Sequence, residues 1–274
     1  MRRAVLTLLA LVLALPVAAQ TSGTLTPMQR RGEILGWEAV GRINTPKGMC
    51  TGVLIAPDVA LTAAHCVYEA HGARIPARDI VFRAGYHRGT SMADRRGAAL
   101  FPHRAYKHDV SGRVSGAMMA YDVALLRLDA PINSAEADPF KLFNGDMGNL
   151  PVSVVSYGQD RAEYLSRQAE CAVLRRYRNG QIAFDCNVTY GSSGAPVFAR
   201  QDGRIRIVSL ISAMATEQDG DRLGESYGMA LPGVVAQLMG EMRRDNARPK
   251  ASAGARRVSV GQRMTSGGAR FVRP

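Results

Sequence analysis

The sequence predicts an all-β protein, built as a sandwich or a barrel, on the basis of two observations. Beyond the first 35 residues the chain is a series of short apolar runs of strand length, separated by Gly, Pro, Asn and Asp. Such runs with turn residues between them are typical of sandwiches and barrels. Few segments have apolar residues repeating at the spacing of an α-helix. The clearest of them, residues 234–244, predicts a short C-terminal helix.

The first 19 residues have the pattern of a secretory signal peptide. A basic start, MRR, precedes the apolar stretch AVLTLLALVLAL, and small residues at 17–19 suit a cleavage site. The apolar stretch is shorter than the roughly 20 residues that a membrane-spanning helix needs. We therefore expect an exported protein, either secreted or periplasmic.

The rest of the chain divides into four segments. Residues 20–35 are polar and contain a dibasic pair, so they form an N-terminal segment that is a candidate propeptide. With residues 131–138 as a linker, the core gives one domain at 36–135 and a second at 136–242. Nine runs in this core predict strands: CTGVLIAP, VALTAAHC, DIVFRAGY, DVALLRLD, PVSVVSYG, CAVLRRY, QIAFDC, APVFAR and IRIVSLISAM.

The net charge of +12 lies mainly at the ends of the chain. Residues 243–274 hold nine Lys and Arg against one acid, or +8, and the signal segment adds +2. The remaining +2 argues against a nucleic-acid-binding face on the folded part. Residues 243–274 are rich in Arg, Gly and Ser, which predicts a basic disordered tail. Its charge suits weak association with anionic envelope surfaces, and a solvated tail without a partner is the alternative.

Four cysteines in an exported chain indicate two disulfides. Three pairings are possible, and proximity favours Cys50–Cys66 and Cys171–Cys186. A tight two-residue turn at the Asn-Gly dipeptide at 179–180 would leave the second pair two positions out of register, so that bridge needs a longer turn or a bulge. A zinc site is the rival interpretation, but the chain has no CxxC pair and no HExxH motif.

Three stretches contain residues suited to nucleophilic catalysis. LTAAHC supplies His65, YDVALLRL supplies Asp122, and YGSSGAPV supplies Ser193. A serine hydroxyl needs a base to take its proton, a histidine can do this near neutral pH, and a carboxylate behind the histidine fixes its tautomer. No histidine follows Ser193, which excludes the α/β-hydrolase order of Ser, Asp and His.

The blocks TAAHC, DVALLRL and GSSGAP resemble those of the trypsin/chymotrypsin-like serine peptidases, and Cys50 and Cys66 are placed like that family's disulfide beside the histidine. The resemblance covers roughly residues 36 to 242 and is closest to the bacterial glutamyl-endopeptidase-like branch. It implies two six-stranded antiparallel Greek-key β-barrels, with the active site in the cleft between them. It also implies an oxyanion hole made by the backbone N–H groups of Gly191 and Ser193, a protein or peptide substrate, and neither metal nor cofactor.

The same resemblance assigns the specificity pocket to four positions: Asn187, Ser212, Met214 and Gly228. With no carboxylate at 187, a Lys or Arg preference is not expected. With no histidine after Ser193, a glutamyl preference is not expected either. Because Met214 would partly fill the pocket, we expect small or apolar side chains to be accepted.

Ser192 stands where the trypsin-like zymogens have an aspartate that pairs with a newly freed amino terminus. A serine has no charge to hold a buried ammonium. We therefore predict that hydrogen bonds from Ser192 and neighbouring backbone groups shape the loop 190–194. The alternative to an enzyme is a catalytically silent member of the fold that acts as a binding protein. The oligomeric state is not predicted.

Overall fold

The computed structural model describes residues 24–111, 113–215 and 224–247. The predicted signal peptide and residues 248–274 of the predicted tail lie outside these ranges. Within them are fourteen β-strands and two α-helices, α1 at Gly116–Met119 and α2 at Pro232–Ala247. The all-β prediction is confirmed. None of the helices in the described ranges has the length and apolar character that a membrane crossing requires.

The first domain is a closed antiparallel barrel of six strands in the order β2-β3-β4-β7-β6-β5. The predicted apolar runs form four of them, while β2 and β6 were not predicted. The strands are β2 (Val40–Thr45), β3 (Gly48–Ala56), β4 (Val59–Thr62), β5 (Val81–Ala84), β6 (Ala93–Pro102) and β7 (Ala124–Leu128).

The second domain is an eight-stranded sheet in the order β1-β9-β8-β12-β13-β14-β11-β10. Since β9 and β10 are joined through Ala172 alone, they are two halves of one bent strand, and the sheet curls into a second six-stranded barrel with β1 added outside. The strands are β1 (Thr26–Pro27), β8 (Val152–Ser156), β9 (Ser166–Cys171), β10 (Val173–Arg176), β11 (Gln181–Phe184), β12 (Pro196–Gln201), β13 (Arg204–Met214) and β14 (Ser226–Met229).

The hairpin of β10 and β11 brings Cys171 opposite Cys186. The Asn-Gly dipeptide belongs to a three-residue loop closed by a hydrogen bond from the backbone N of Tyr177 to the carbonyl of Gln181 (2.8 Å). That loop shifts the register by one residue relative to a two-residue turn, and a bulge near Val173 shifts it by another. The two shifts together align the cysteines, whose Cα atoms lie 5.1 Å apart in the disulfide.

The described part of the N-terminal segment is built into the second barrel. Strand β1 pairs with β9, and Met28 donates a backbone hydrogen bond of 2.8 Å to the carbonyl of Leu165. Met28 and Ile34 are buried in an apolar cluster that contains residues of both barrels. This segment therefore contributes to the core that joins the barrels.

Contacts with the first barrel hold parts of the predicted linker and of the predicted tail. In the linker, Ile132 is buried, and its backbone N donates a 2.8 Å hydrogen bond to the carbonyl of Pro57. Helix α2 continues to residue 247, past the predicted tail boundary at 243. Arg127 of β7 explains the extension, because its guanidinium lies 3.6 Å from the carboxylate of Asp245 and contacts Asn246.

Candidate active site

His65 lies in a short 3-10 helix, Ala64–Val67, that directly follows β4. The helix is fixed by the disulfide between Cys50 of β3 and Cys66, with Cα atoms 6.2 Å apart. His65 and the two sulfurs lie close enough together to suggest a metal site. Because the sulfurs are bonded to each other, neither is a thiolate ligand.

Asp122 is the anchor of His65. The carboxylate is completely buried and accepts a hydrogen bond from each of two nitrogens of His65, Nδ1 to Oδ2 and the backbone N to Oδ1, both at 2.8 Å. Ser212 donates a third bond to Oδ2 at 2.6 Å. With Nδ1 carrying the proton, Nε2 is left as the basic nitrogen that faces away from the carboxylate.

Ser212, one of the positions assigned to the specificity pocket, also has a contact that the sequence did not predict. Its hydroxyl points inward to Asp122, and the residue is buried. A buried carboxylate needs its lone pairs satisfied, which gives this hydroxyl a reason to be there.

The loop that carries Ser193 is packed against the first barrel. The carbonyl of Ser193 accepts a 2.8 Å hydrogen bond from the backbone N of Thr51 in β3. Gly194 follows in the left-handed region, with φ of 78°. A Cβ at this glycine would lie 2.3 Å from both the Thr51 carbonyl oxygen and Thr62 Oγ1, so no other residue fits.

His65 and Ser193 approach each other across the disulfide. The Sγ atom of Cys66 lies 3.7 Å from His65 Nε2 and 3.9 Å from the carbonyl oxygen of Ser193. Among the hydrogen bonds of the described residues, none joins the Ser193 hydroxyl to His65. Such bonds are often long in enzymes without substrate and tighten in the complex, so the arrangement is compatible with a base and its nucleophile.

The N–H group of Gly191 is oriented but unused. The carbonyl of Tyr190, in the same planar peptide, accepts a 2.7 Å hydrogen bond from the backbone N of Gln159. The N–H of a trans peptide points opposite to its carbonyl. Within the described chain that N–H donates no hydrogen bond. Gly191 has φ of 91°, a backbone conformation that other residues rarely adopt, so the position favours glycine.

The orientation of the Ser193 N–H group is fixed in the same way, by a hydrogen bond to the carbonyl of its own peptide. The carbonyl of Ser192 accepts a 2.9 Å hydrogen bond from the backbone N of Ala195, which fixes the peptide between Ser192 and Ser193. In the part of the chain that the structure describes, the N–H of this peptide has no acceptor either. Two fixed, unused donors on one short loop suit the binding of a developing negative charge.

Ser192 is completely buried, and hydrogen bonds surround its hydroxyl. It donates to the carbonyl of Tyr157 (3.1 Å) and accepts from the backbone N of Thr189 (3.2 Å). It also accepts from the guanidinium of Arg161 at 3.1 Å. Hydrogen bonds therefore shape this loop, as predicted, but sequence reasoning missed Arg161.

The other three residues assigned to the pocket lie at different depths. Asn187 is exposed, and its backbone N is bonded to Gln168 Oε1 at 2.7 Å. Met214 is half-buried at the end of β13. Gly228 sits in β14 with no room for a side chain, because a Cβ would lie 2.0 Å from the carbonyl oxygen of Leu210.

Two basic groups surround His65. Lys47 Nζ donates a 2.9 Å hydrogen bond to the carbonyl of His65, and burial lowers the pKa of this lysine. His108 lies in a loop, and its ring stacks on Tyr68 with centroids 5.2 Å apart. Burial, together with the nearby Lys47 and His65, lowers the pKa of His108. A lowered pKa keeps this second imidazole neutral at ordinary pH.

Comparison with known proteins identifies the family. Residues 50–206 match the family profile described as a trypsin-like peptidase domain, which is more than half of the chain. The chain belongs to the trypsin-like peptidase domain family. A glutamyl endopeptidase of Bacillus licheniformis is 26% identical over 200 residues. That alignment covers 70% of this chain and 58% of the relative, so the chain spans less than two thirds of that protein.

Solved structures share the fold of this trypsin-like domain. A Glu endopeptidase in complex with MPD superposes with a TM-score of 0.65 at 16% identity, covering 82% of this chain and 98% of that one. The thermostable serine protease AL20, from an extremophilic microorganism, gives a TM-score of 0.59 at 18% identity, covering 75% and 96%. Protease Anisep from Arthrobacter nicotinovorans gives 0.59 at 20%, covering 74% and 94%.

Proposed function

We propose that the protein is an exported serine endopeptidase that uses His65, Asp122 and Ser193 as its catalytic triad. The observation that carries the proposal is the buried carboxylate of Asp122, which holds His65 Nδ1 at 2.8 Å beside the loop of Ser193. Membership of the trypsin-like family supports the same activity.

In the proposed reaction, His65 Nε2 takes the proton of the Ser193 hydroxyl as the oxygen attacks the scissile carbonyl carbon. The protonated imidazole then donates that proton to the leaving amine, which leaves an acyl-enzyme that water hydrolyses by the reverse sequence. Asp122 stabilises the imidazolium and keeps its Nδ1–H pointing at the carboxylate. Ser212 supports Asp122 by donating to Oδ2, the same oxygen that accepts from His65 Nδ1.

The N–H groups of Gly191 and Ser193 are the proposed oxyanion hole. Both belong to peptides whose carbonyls are already bonded, so the donors are in place before the substrate arrives. Donors that need no reorganisation stabilise the transition state more than the ground state, and losing one costs about 10²–10³ in kcat.

Two classes of substrate side chain are candidates for the specificity pocket. The relative from Bacillus licheniformis is named a glutamyl endopeptidase, which favours cleavage after glutamate. Against this, no histidine follows Ser193, and Ile211, Ala213 and Met214 of β13 offer no charge to a carboxylate, which favours small or apolar side chains. Cleavage of a peptide library decides between them: a dominant Glu preference would overturn our prediction.

Export is proposed from two features. The two disulfides are typical of proteins outside the cytoplasm. The first 19 residues supply the signal peptide. Expression in a bacterial host with and without these residues tests the assignment: the full chain should appear outside the cytoplasm, shortened at its N-terminus.

A fluorophosphonate probe tests the triad directly. The wild-type protein should be labelled on Ser193, and labelling should vanish in Ser193→Ala, while Ser192→Ala keeps a nucleophile to label. A folded wild-type protein that neither reacts with the probe nor cleaves any peptide would favour the alternative, a silent binding protein of the same fold.

A further inference from the structure

Arg161 is a buried cation beside the oxyanion loop, and the proposed reaction gives it no role. It lies in the short 3-10 helix Gln159–Arg161 that follows β8 and is 6% exposed. Its Nη1 donates to the carbonyl of Ser156 at 2.7 Å. Its Nη2 donates to the hydroxyls of Ser156 and Ser192, both at 3.1 Å.

Within the described residues, no buried carboxylate compensates this charge. The nearest acid is Asp160, whose oxygen lies 3.7 Å from Arg161 Nε and whose side chain is 74% exposed. Nε itself is buried without a hydrogen bond. Burial lowers the pKa of Arg161 to about 10, so the guanidinium is still charged at neutral pH. A buried charge without a matching partner is costly, and such costs are expected where function requires them.

Ser192 transmits the position of this guanidinium to the loop. Its hydroxyl is held by Arg161 on one side and by the backbone N of Thr189 on the other. The residues flanking Ser192 are Gly191 and Ser193, whose N–H groups are the unused donors. A displacement of the Ser192 backbone would move both proposed oxyanion donors, and the hydrogen bonds to its hydroxyl oppose such a displacement.

The backbone around Arg161 is held from the first barrel. Arg42 Nη1 donates to the carbonyl of Ala162 at 2.9 Å, and the backbone N of Arg88 donates to the carbonyl of Glu163 at 2.7 Å. Gly158 leaves space for the guanidinium, because a Cβ there would lie 2.8 Å from Arg161 Cζ. The guanidinium of Arg161 is therefore held in one position, unlike that of a surface arginine.

We propose that Arg161 is a positioning residue that holds the Gly191 and Ser193 N–H groups in donor geometry through Ser192, using neutral acceptors where a zymogen uses an ion pair. The inference rests on the proposed peptidase function. Since the cation is already part of the chain, the oxyanion loop is built without a cleavage that frees a new amino terminus.

The test replaces Arg161 with methionine, which keeps length but removes the charge and its donors. Because the loop acts on the transition state, kcat should fall roughly 10²-fold with little change in KM. The inhibition constant of a peptide aldehyde, which forms an oxyanion adduct with the serine, should rise by a similar factor. Arg167→Met is the matched control: Arg167 is partly buried and stacks over Trp37 at 5.0 Å, and its kcat should stay at the wild-type value.

A second pair of variants keeps the inference testable if Arg161→Met does not fold. Ser192→Ala cuts the link but leaves the bonds from Arg161 to Ser156, and should lose kcat to a similar degree. Ser192→Asp should keep at least a tenth of wild-type kcat, because the new carboxylate pairs with Arg161. In the Arg161→Met background the same aspartate is buried unpaired, and activity should disappear.

The outcomes separate this inference from the function on which it rests. The positioning role is wrong if Arg161→Met, or folded Ser192→Ala, has the same kcat as wild type. If Ser193→Ala is inactive in the same assay, the proposed peptidase function is still supported. A change in KM alone also overturns it. If folded wild type neither cleaves peptides nor reacts with the probe, both proposals fall.

Discussion

Gly194→Ala tests how closely the nucleophile loop must fit the first barrel. The added Cβ would lie 2.3 Å from the Thr51 carbonyl oxygen and from Thr62 Oγ1, and 2.9 Å from the backbone N of Ala63. Ordinary contacts begin at 3.4 Å, so the loop must retreat by roughly 1 Å. Two of the three obstructing atoms are backbone atoms of the barrel wall, which cannot rotate away.

The expected cost has two parts. A non-glycine residue at φ of 78° costs about 1–2 kcal/mol, and overpacking against a rigid wall costs about 1–3 kcal/mol more. We expect unfolding in guanidinium to show a loss of about 2–5 kcal/mol. A displacement of roughly 1 Å at a reacting group costs about 10²-fold in rate, so fluorophosphonate labelling of Ser193 should slow by that factor in the folded fraction.

Gly203→Ala is the matched control. Gly203 has nearly the same backbone conformation, φ of 74°, but its Cβ would meet nothing within 4 Å. It therefore carries the conformational cost without the contact, and labelling should proceed at the wild-type rate. Equal losses of stability and equal labelling rates in the two variants would refute the argument that the barrel contact sets the position of Ser193.

Three further changes have defined outcomes. Ser212→Ala removes one of three hydrogen bonds to the buried triad carboxylate, so kcat should fall about tenfold at unchanged KM; an unchanged kcat contradicts the supporting role. Trimming the chain to Gly36 removes the buried Met28 and Ile34, and should cost about 3–5 kcal/mol in a denaturation titration; unchanged stability means that the segment is expendable. Truncation after Ala247 should leave peptide cleavage rates as they are, and a folded but inactive product would give the tail a part in catalysis.

The residues of the proposed triad could be identified from the sequence because each sits in a local motif. His65 and Asp122 adjoin apolar runs that form β4 and β7, and the glycines around Ser193 identify a turn. Strand β6 was not predicted, since its arginines and central glycine break the apolar pattern. Its place in the barrel is set by pairing with β5, the preceding strand along the chain, and with β7, which begins only at Ala124.

The supporting residues were not predictable in the same way. Arg161 and Ser192 are 31 residues apart, and only the packing of β8 against β12 brings them together. Ser212 and Asp122 are 90 residues apart and belong to different barrels. No local pattern distinguishes such a serine or arginine from any other. The Cys171–Cys186 bridge depended on a bulge whose position no residue type revealed.

Thr51 joins the two barrels at the loop that carries Ser193. Its contacts determine when, during folding, the proposed proteolytic activity can begin. Its backbone N bonds to Ser193, its hydroxyl donates to the carbonyl of Gly191 at 2.9 Å, and the same hydroxyl accepts from the backbone N of Tyr157 at 3.1 Å. The first barrel holds the proposed base and its carboxylate, and the second holds the proposed nucleophile. In the proposed peptidase, a chain whose two barrels have not yet docked has no assembled catalytic site and therefore cannot cleave unfolded copies of itself. Under the proposal that no activating cleavage is needed, the completion of folding determines when activity begins.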